Sequence, residues 1–201
     1  FNSLTGYSHR ESYRKLLVSP HGIRQGMMER IEREIEVHRR EGNGYIAFKM
    51  NSLVDKGIIE GLYRASMAGV RIELNVRGLC SLRPGVKGVS DNITVTSIVG
   101  RFLEHARIFY FRNGGDEELL LGSSDMMPRN LNRRVEILFP VRDRRILRAL
   151  KENILDVHLR DNVKAKRLLP DGTYEKVVPQ EGERPLNSQA WLLENRGVWH
   201  D

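Results

Sequence analysis

Between residues 22 and 76 the chain runs through four hydrophobic periods in succession, and that order restricts the fold more than any other stretch. Ile23, Met27, Met28, Ile31 and Ile35 recur at helical spacing among Arg and Glu, and EGNG at residues 41–44 ends the run. The methionines suit core filling better than a ligand box. YIAFKM at residues 45–50 is short and largely apolar, which predicts a strand. Ser52 offers an N-cap with Asp55 three residues on, opening a helix through Val54, Ile58, Leu62 and Ala65 that stops at Gly69. VRIELNV at residues 70–76 is the next strand. A crossover helix between two strands predicts that they pair in parallel, within an α/β fold.

Downstream, ITVTSIV at residues 93–99 alternates as a third strand, and VEILF at residues 135–139 forms the last strand of the sheet, ended by Pro140. A helix over residues 143–159, with Ile146, Leu150, Ile154 and Val157 on one face, closes the domain. Past Asn162 the pattern fades to a short hairpin around Asp171 and Gly172, a short helix at residues 187–195 and a tail bearing Trp199. The division expected is a linker at residues 1–20, a main domain at residues 21–164 and an extension at residues 165–201. Beginning at Phe1 with no initiator Met, the chain is expected to be cut from something longer.

Residues 101–134 form the stretch richest in chemistry. Two runs of Phe, Tyr, Ile and Leu flank Asn113-Gly114-Gly115-Asp116, which predicts a tight hairpin. If Asn113 pairs with Asp116, Arg107 faces Gly122 and His105 faces Ser124, with β-carbons of paired residues at roughly 5 Å. His105 would then stand beside Gly122-Ser123-Ser124-Asp125. The other histidines, His9, His21, His38, His158 and His200, occupy linker, helix or tail positions without clustered polar partners and are expected to be solvated or structural. No second His or Cys stands at ligand spacing from His105, so a metal site is not expected in this chain. The serines lack a nucleophile elbow, which argues against a Ser-His-Asp triad. A histidine among arginines and hydroxyls suits phosphoryl chemistry, because imidazole can attack phosphorus or move a proton while guanidiniums neutralise charge. Arg77, at the C-terminal end of the second strand, lies where open α/β sheets collect ligands.

Charge agrees with that reading. The formal net charge is +7 and the sequence pI is near 9.7, mostly from arginine, which matches phosphate oxygens bidentately. A polyanionic partner is expected. The loop at residues 78–92 carries Arg83 and Lys87 among Gly, Pro and Ser, as either a flap over phosphate or an ordinary loop; no Gly-Lys-Ser or Gly-Lys-Thr occurs, which removes the P-loop signature. One cysteine, Cys80, allows no internal disulfide and suggests a reducing compartment. No apolar run has the length of a membrane span.

His105-x-Arg107 with Gly122-Ser123-Ser124-Asp125 resembles the histidine-lysine motif of the phospholipase D superfamily, with Arg107 in the usual lysine's place. Within it, LVDKGIIEGLY, VRGLCSLRPGV, GVSDNITVTSIVGRFLEHARIFYF and SSDMMPRNLNRRVE together resemble the C-terminal catalytic domain of bacterial polyphosphate kinases, over roughly residues 1–165. The resemblance implies an α/β sandwich of phospholipase D type, a mixed β-sheet flanked by helices. It implies an enzyme that moves the terminal phosphate of ATP reversibly onto inorganic polyphosphate. Arg77, His105 and Arg134 correspond to residues that contact the nucleotide phosphates, with His105 the catalytic position; Arg107, Ser123, Ser124, Asp125, Arg129 and Asn130 shape the pocket. Asp125 and Asn130 could equally serve turns and helix starts. The phosphohistidine of the family belongs to a preceding domain that these residues do not contain, and the Mg2+ ligands fall largely outside this chain. The partners implied are ATP or ADP, polyphosphate, that preceding domain and a second copy in a homo-oligomer, in the cytoplasm or peripherally at the inner membrane, with no nucleic acid. Two alternatives stay open: a phosphodiesterase or transferase of phospholipase D type with His105 as nucleophile, and a non-catalytic module holding nucleic acid through its arginines.

Overall fold

The structure is a computed structural model and describes residues 13–20 and 22–195. The expectations for His9, His21, Trp199 and His200 lie outside the described residues. The predicted crossover is present: β2 (Tyr45–Met50) pairs in parallel with β3 (Arg71–Val76), and β3 in parallel with β4 (Ile93–Ile98). The remaining pairings are antiparallel. Together with β1 (Leu17–Val18), β5 (Ile108–Phe111), β6 (Glu118–Gly122), β7 (Ile137–Pro140), β8 (Ala165–Leu168) and β9 (Tyr174–Lys176), these strands make one mixed sheet in the order β1-β7-β6-β5-β2-β3-β4-β8-β9. VEILF is therefore not the last strand, because the hairpin of residues 165–176 adds to β4 along the far edge.

Both sheet faces are covered, which explains why the central β2 is almost wholly apolar. On one face lie α1 (Ile23–Glu41) and α2 (Lys56–Met67), whose Ile23, Met27, Ile31, Ile58 and Leu62 meet Ile46, Phe48 and Met50. Periodicity foretold that stripe. Helix α1 ends at Gly42, whose φ of 69° is the left-handed cap that glycine accepts without strain. The expected cap of α2 shifts by one turn: Asp55, not Ser52, is the N-cap, its carboxylate accepting from the Ile58 amide at 3.1 Å and pairing with Arg24 at 2.7 Å. Ser52 is instead drawn into the end of β2, where its amide donates to Asp125.

The other face carries α4 (Arg144–Leu150), a π-helical stretch at Lys151–Leu155 and α5 (Asp156–Leu159), continuous along the predicted helix at residues 143–159. Leu147, Leu155 and Val157 are buried there, while Ile146 is exposed, because the π stretch resets the helical period between the two ends. Glu34, fully buried on α1, accepts from the amides of Tyr45 and Asn113 at 2.9 Å each, tying helix, first parallel strand and hairpin turn together.

Candidate functional site

The hairpin keeps the predicted alignment and loses the predicted turn. Ile108 pairs with Leu121 and Phe111 with Glu118, the register that follows from Asn113 opposite Asp116. Residues 112–117 nonetheless form a longer connection with a 3-10 turn at Asn113–Gly115, where φ is 48° at Asn113, 66° at Gly114 and 108° at Gly115. At the open end, β5 starts only at Ile108, and Gly122 leaves the hairpin to face Leu138 on β7. Arg107 is thus not paired with Gly122, nor His105 with Ser124. A Cβ on Gly122 would overlap the Ile137 carbonyl oxygen, so the approach of β7 explains this glycine better than a phosphate contact does.

Arg107 reaches across instead. Its Nη2 donates to Asp125 Oδ2 at 3.0 Å and its Nε to Oδ1 at 3.3 Å, a bidentate pair with both side chains about nine-tenths buried. Asp125 also accepts from the amides of Asn51, at 2.8 Å, and Ser52, at 3.2 Å. Burial works to raise the Asp125 carboxyl, and the Arg107 contact with the two amides outweighs it, holding the group below the usual carboxylate range. Arg107 Nη1 lies 3.1 Å from His105 Nδ1 and donates to the His105 carbonyl at 3.2 Å. Arg107 Nη2 also lies 3.4 Å from His105 Nε2, so the guanidinium runs alongside the ring and faces both of its nitrogens. The imidazole is exposed.

Arg77 joins from the neighbouring strand end. Its Nη2 and Nε donate to Asn51 Oδ1 at 2.7 and 3.2 Å, and Asn51 Nδ2 approaches Asp125 at 3.3 Å. A continuous chain Arg77, Asn51, Asp125, Arg107, His105 therefore crosses the C-terminal ends of β2 and β3. No carboxylate pairs with Arg77 among the described residues, so it keeps its full charge and the remainder of its five N–H donors for an anion.

The other predicted residues separate into two groups. Ser124 is fully buried and donates to the Asp125 carbonyl at 2.9 Å, so its hydroxyl serves the turn; Ser123 is exposed, its Oγ accepting from the Ile137 amide at 3.3 Å. Asn130 is buried and donates to Glu136 at 2.7 Å, which supports the structural of its two roles. Arg129, in the first turn of the short helix α3 (Pro128–Asn132), and Arg134, just past its end, are exposed and make no side-chain hydrogen bond to His105 or Arg77 among the described residues. The loop at residues 78–92 is stitched down: the Arg83 amide donates to the Tyr63 hydroxyl at 2.8 Å, Ser90 donates to the Arg83 carbonyl at 2.7 Å, and Arg83 Nη1 donates to the Pro170 carbonyl at 3.0 Å.

Beneath the surface chain lies a polar group that sequence reasoning missed. Lys49, 1% exposed, shares a row with Asn75 on β3, which donates to Thr96 on β4. The Lys49 ammonium stands 3.7 Å from Glu104, beyond hydrogen-bond reach; burial lowers its pKa, partly offset by Glu104. His158 corrects only the expected lack of clustered polar partners: it is 1% exposed, hydrogen-bonded through Nδ1 to the Ile154 carbonyl at 2.7 Å, with Nε2 3.3 Å from Glu104. His158, with burial opposing it and Lys49 adding to it, takes the Glu104 carboxyl down to about 2. A lysine inside an otherwise apolar strand was the available signal. His38, by contrast, is structural as expected, its Nδ1 accepting from the Gly44 amide at 3.0 Å.

The carboxylates nearest His105 are already matched by cations, Asp125 by Arg107 and Glu104 by Lys49, so these residues do not fit a divalent cation. No cluster of three or more metal-ligating side chains occurs among the described residues. The site is cationic, with His105 against the Arg107 guanidinium at one end of the chain and Arg77 at the other. It can hold an anion and exchange a proton at one imidazole.

Comparison with known proteins agrees with these features. The family described as Polyphosphate kinase C-terminal domain 2 matches residues 16–189. The chain is 56% identical over 199 residues to a polyphosphate kinase of Prosthecochloris aestuarii, covering 98% of this chain and 27% of that protein. It is 54% identical over 194 residues to one of Mycobacterium avium, covering 96% and 26%. The chain thus spans about a quarter of the length of the curated relatives it matches. The crystal structure of polyphosphate kinase from Porphyromonas gingivalis superposes with a TM-score of 0.92 at 40% identity, over 100% of this chain and 31% of that one. The phospholipase D family member Nuc from Salmonella typhimurium gives a TM-score of 0.51 at 12% identity, over 71% of this chain and 91% of that one, a likeness of fold alone. A mixed sheet of phospholipase D type, a cationic site at its parallel strand ends and a family match across most of its length establish that the chain belongs to the polyphosphate kinase C-terminal domain 2 family.

Proposed function

We propose that this chain supplies one half of the active site of a polyphosphate kinase that transfers the terminal phosphate of ATP reversibly to inorganic polyphosphate. The observation carrying this reading is the pairing of an exposed imidazole with an arginine whose charge no carboxylate cancels, His105 and Arg77, linked through Asn51, Asp125 and Arg107. Arg77 binds phosphate oxygens, and His105 presents its exposed imidazole to the phosphoryl group in flight and can move a proton there. Arg134 adds charge at the rim, while Arg107, Asp125 and Asn130 hold the frame. The nucleophile is a histidine of a preceding domain, which becomes a phosphohistidine; the Mg2+ that the reaction uses is held by residues outside this chain. The exposed Leu79, Val99, Phe102 and Leu103 around the site support a surface that other parts of the protein cover. A homo-oligomer in the cytoplasm, with any membrane association peripheral, completes the reading; no described helix is long and apolar enough to cross a membrane.

The test is polyphosphate synthesis from ATP by the full-length protein carrying this chain, with Arg77→Ala and His105→Ala as separate variants. Each is expected to lose at least about a hundredfold in rate, the scale at which removal of one preorganised charge-stabilising group registers. Near-normal synthesis from either one defeats the assignment. Phosphate bound covalently to His105 would instead favour the phosphodiesterase reading.

A further inference from the structure

His105 rides on a segment held at few points, one of them Glu104, which stands 3.7 Å from Lys49 and 3.3 Å from His158. Residues 99–106 have no regular secondary structure, and Val99, Phe102 and Leu103 are exposed, so apolar burial contributes little. Among the described residues, the hydrogen bonds of residues 99–104 to the rest of the protein run to a single side chain, Gln189 at the start of α6 (Ser188–Glu194). Its Oε1 accepts from the Phe102 amide at 3.0 Å, its Nε2 donates to the Phe102 carbonyl at 2.8 Å, and the same Nε2 lies 3.2 Å from Glu104 Oε1. One primary amide thereby mimics a strand neighbour for Phe102 and steadies the carboxylate preceding His105. Gln189 is itself 6% exposed.

The base of this clamp is firm. Asp161 accepts from the Ser188 amide at 2.8 Å and hydroxyl at 2.7 Å, and its other oxygen accepts from the amides of Val163, Lys164 and Ala165. Ala165 begins β8, whose partner on β4 is Ile98, the residue from which the His105 segment departs. On the loop side, a Cβ at Gly100 would overlap Gln189 Oε1 and come within 2.8 Å of its Cδ, so a side chain there would push the clamp open.

We propose that Gln189 is a positioning residue for His105, and that the C-terminal extension therefore takes part in the site. Clamping Phe102 and Glu104 leaves the imidazole few ways to drift from Arg107, and misplacement of a positioned group by about 1 Å can cost about a hundredfold. The kinetic meaning of this role rests on the function proposed above; the clamp does not.

The experiment uses the full-length protein with Gln189→Leu, which keeps the volume and removes both polar atoms, and Gly100→Ala, which opens the same contact from the opposite side. Hydrogen exchange of residues 99–106 and the Kd for ATP by direct titration are read beside the thermal midpoint. Each variant is expected to speed exchange at the Phe102 amide about tenfold, the equivalent of about 1.4 kcal/mol, and to weaken ATP binding about tenfold. The titration is made well below the thermal midpoint, where the folded fraction is close to one and does not raise the apparent Kd, and exchange in β2 and β3 should stay as in the unmodified protein. Unchanged exchange in both variants overturns the clamp, and faster exchange with unchanged Kd overturns the positioning role. If the unmodified protein binds ATP but makes no polyphosphate, the kinase reading fails while both readouts still decide this proposal; if it binds no ATP, both fall.

Discussion

Arg77 and Arg107 carry the same guanidinium and meet opposite neighbours. Arg107 spends its charge on Asp125, whereas Arg77 leans on the neutral amide of Asn51. Attraction for an anion therefore resides mostly in Arg77, and the stability of the site mostly in the Arg107–Asp125 pair. Asp125→Ala should cost about 3 kcal/mol in urea unfolding, because removing one partner strands a buried charge. Arg107→Lys keeps the charge but cannot reproduce the two-point contact with Asp125 together with that to His105. It should lower polyphosphate synthesis about tenfold or more, although lysine is the usual residue of the superfamily motif; an unimpaired lysine variant would show that the fork geometry is dispensable here. The residue types of the site were legible in the sequence. Which arginine remains unpaired was not, since Asn51 and Asp125 lie 26 residues before and 48 residues after Arg77 in sequence and meet only when β2 ends beside the turn after β6.

At the scale of elements, the hairpin register survived a wrong turn. A six-residue connection centred on the same point as a two-residue one aligns the strands identically, so Phe109 still faces Leu120. The open end departs because β7 claims Gly122. Gly122→Ala should be destabilising by about 2 kcal/mol, measured by chemical denaturation, since its Cβ would collide with the Ile137 carbonyl rather than with a side chain able to move. At α2 the N-cap Asp55 also pairs with Arg24 of α1. Asp55→Ala should therefore cost about 1–2 kcal/mol in thermal unfolding, while Ser52→Ala, at the residue that spacing favoured, should cost less.

Across the whole molecule, buried polar groups join layers that the apolar core alone would leave free to slide. Glu34 couples α1 to the hairpin turn, and Glu104 gathers Lys49 from the sheet, His158 from α5 and Gln189 from α6. Glu104 at about 2 and Asp125 below its ordinary value give the folded state a weaker hold on protons than the unfolded chain has. Their contribution is complete above the unfolded carboxylate pKa of about 4 and disappears as pH falls toward 2. The difference in thermal midpoint between the parent and Glu104→Gln should accordingly be largest above about pH 5 and shrink in acid; a gap independent of pH would show that charge at Glu104 is not what stabilises.

What the sequence determined by itself follows from local physics. Apolar period set the helices and strands, the length of the crossover required β2 and β3 to run in parallel, and runs of matching motif pointed to the family. The tertiary structure alone decided which polar groups meet. Lys49 lay in a strand read only as largely apolar, His158 was expected to be solvated or structural without clustered polar partners and Gln189 fell in a short helix past the fading pattern, because hydrogen bonding and charge pairing across about 50 to 85 residues leave no periodic trace in the chain. His105 was recognisable from its neighbours in sequence. The position that gives it a use comes from residues far from it along the chain.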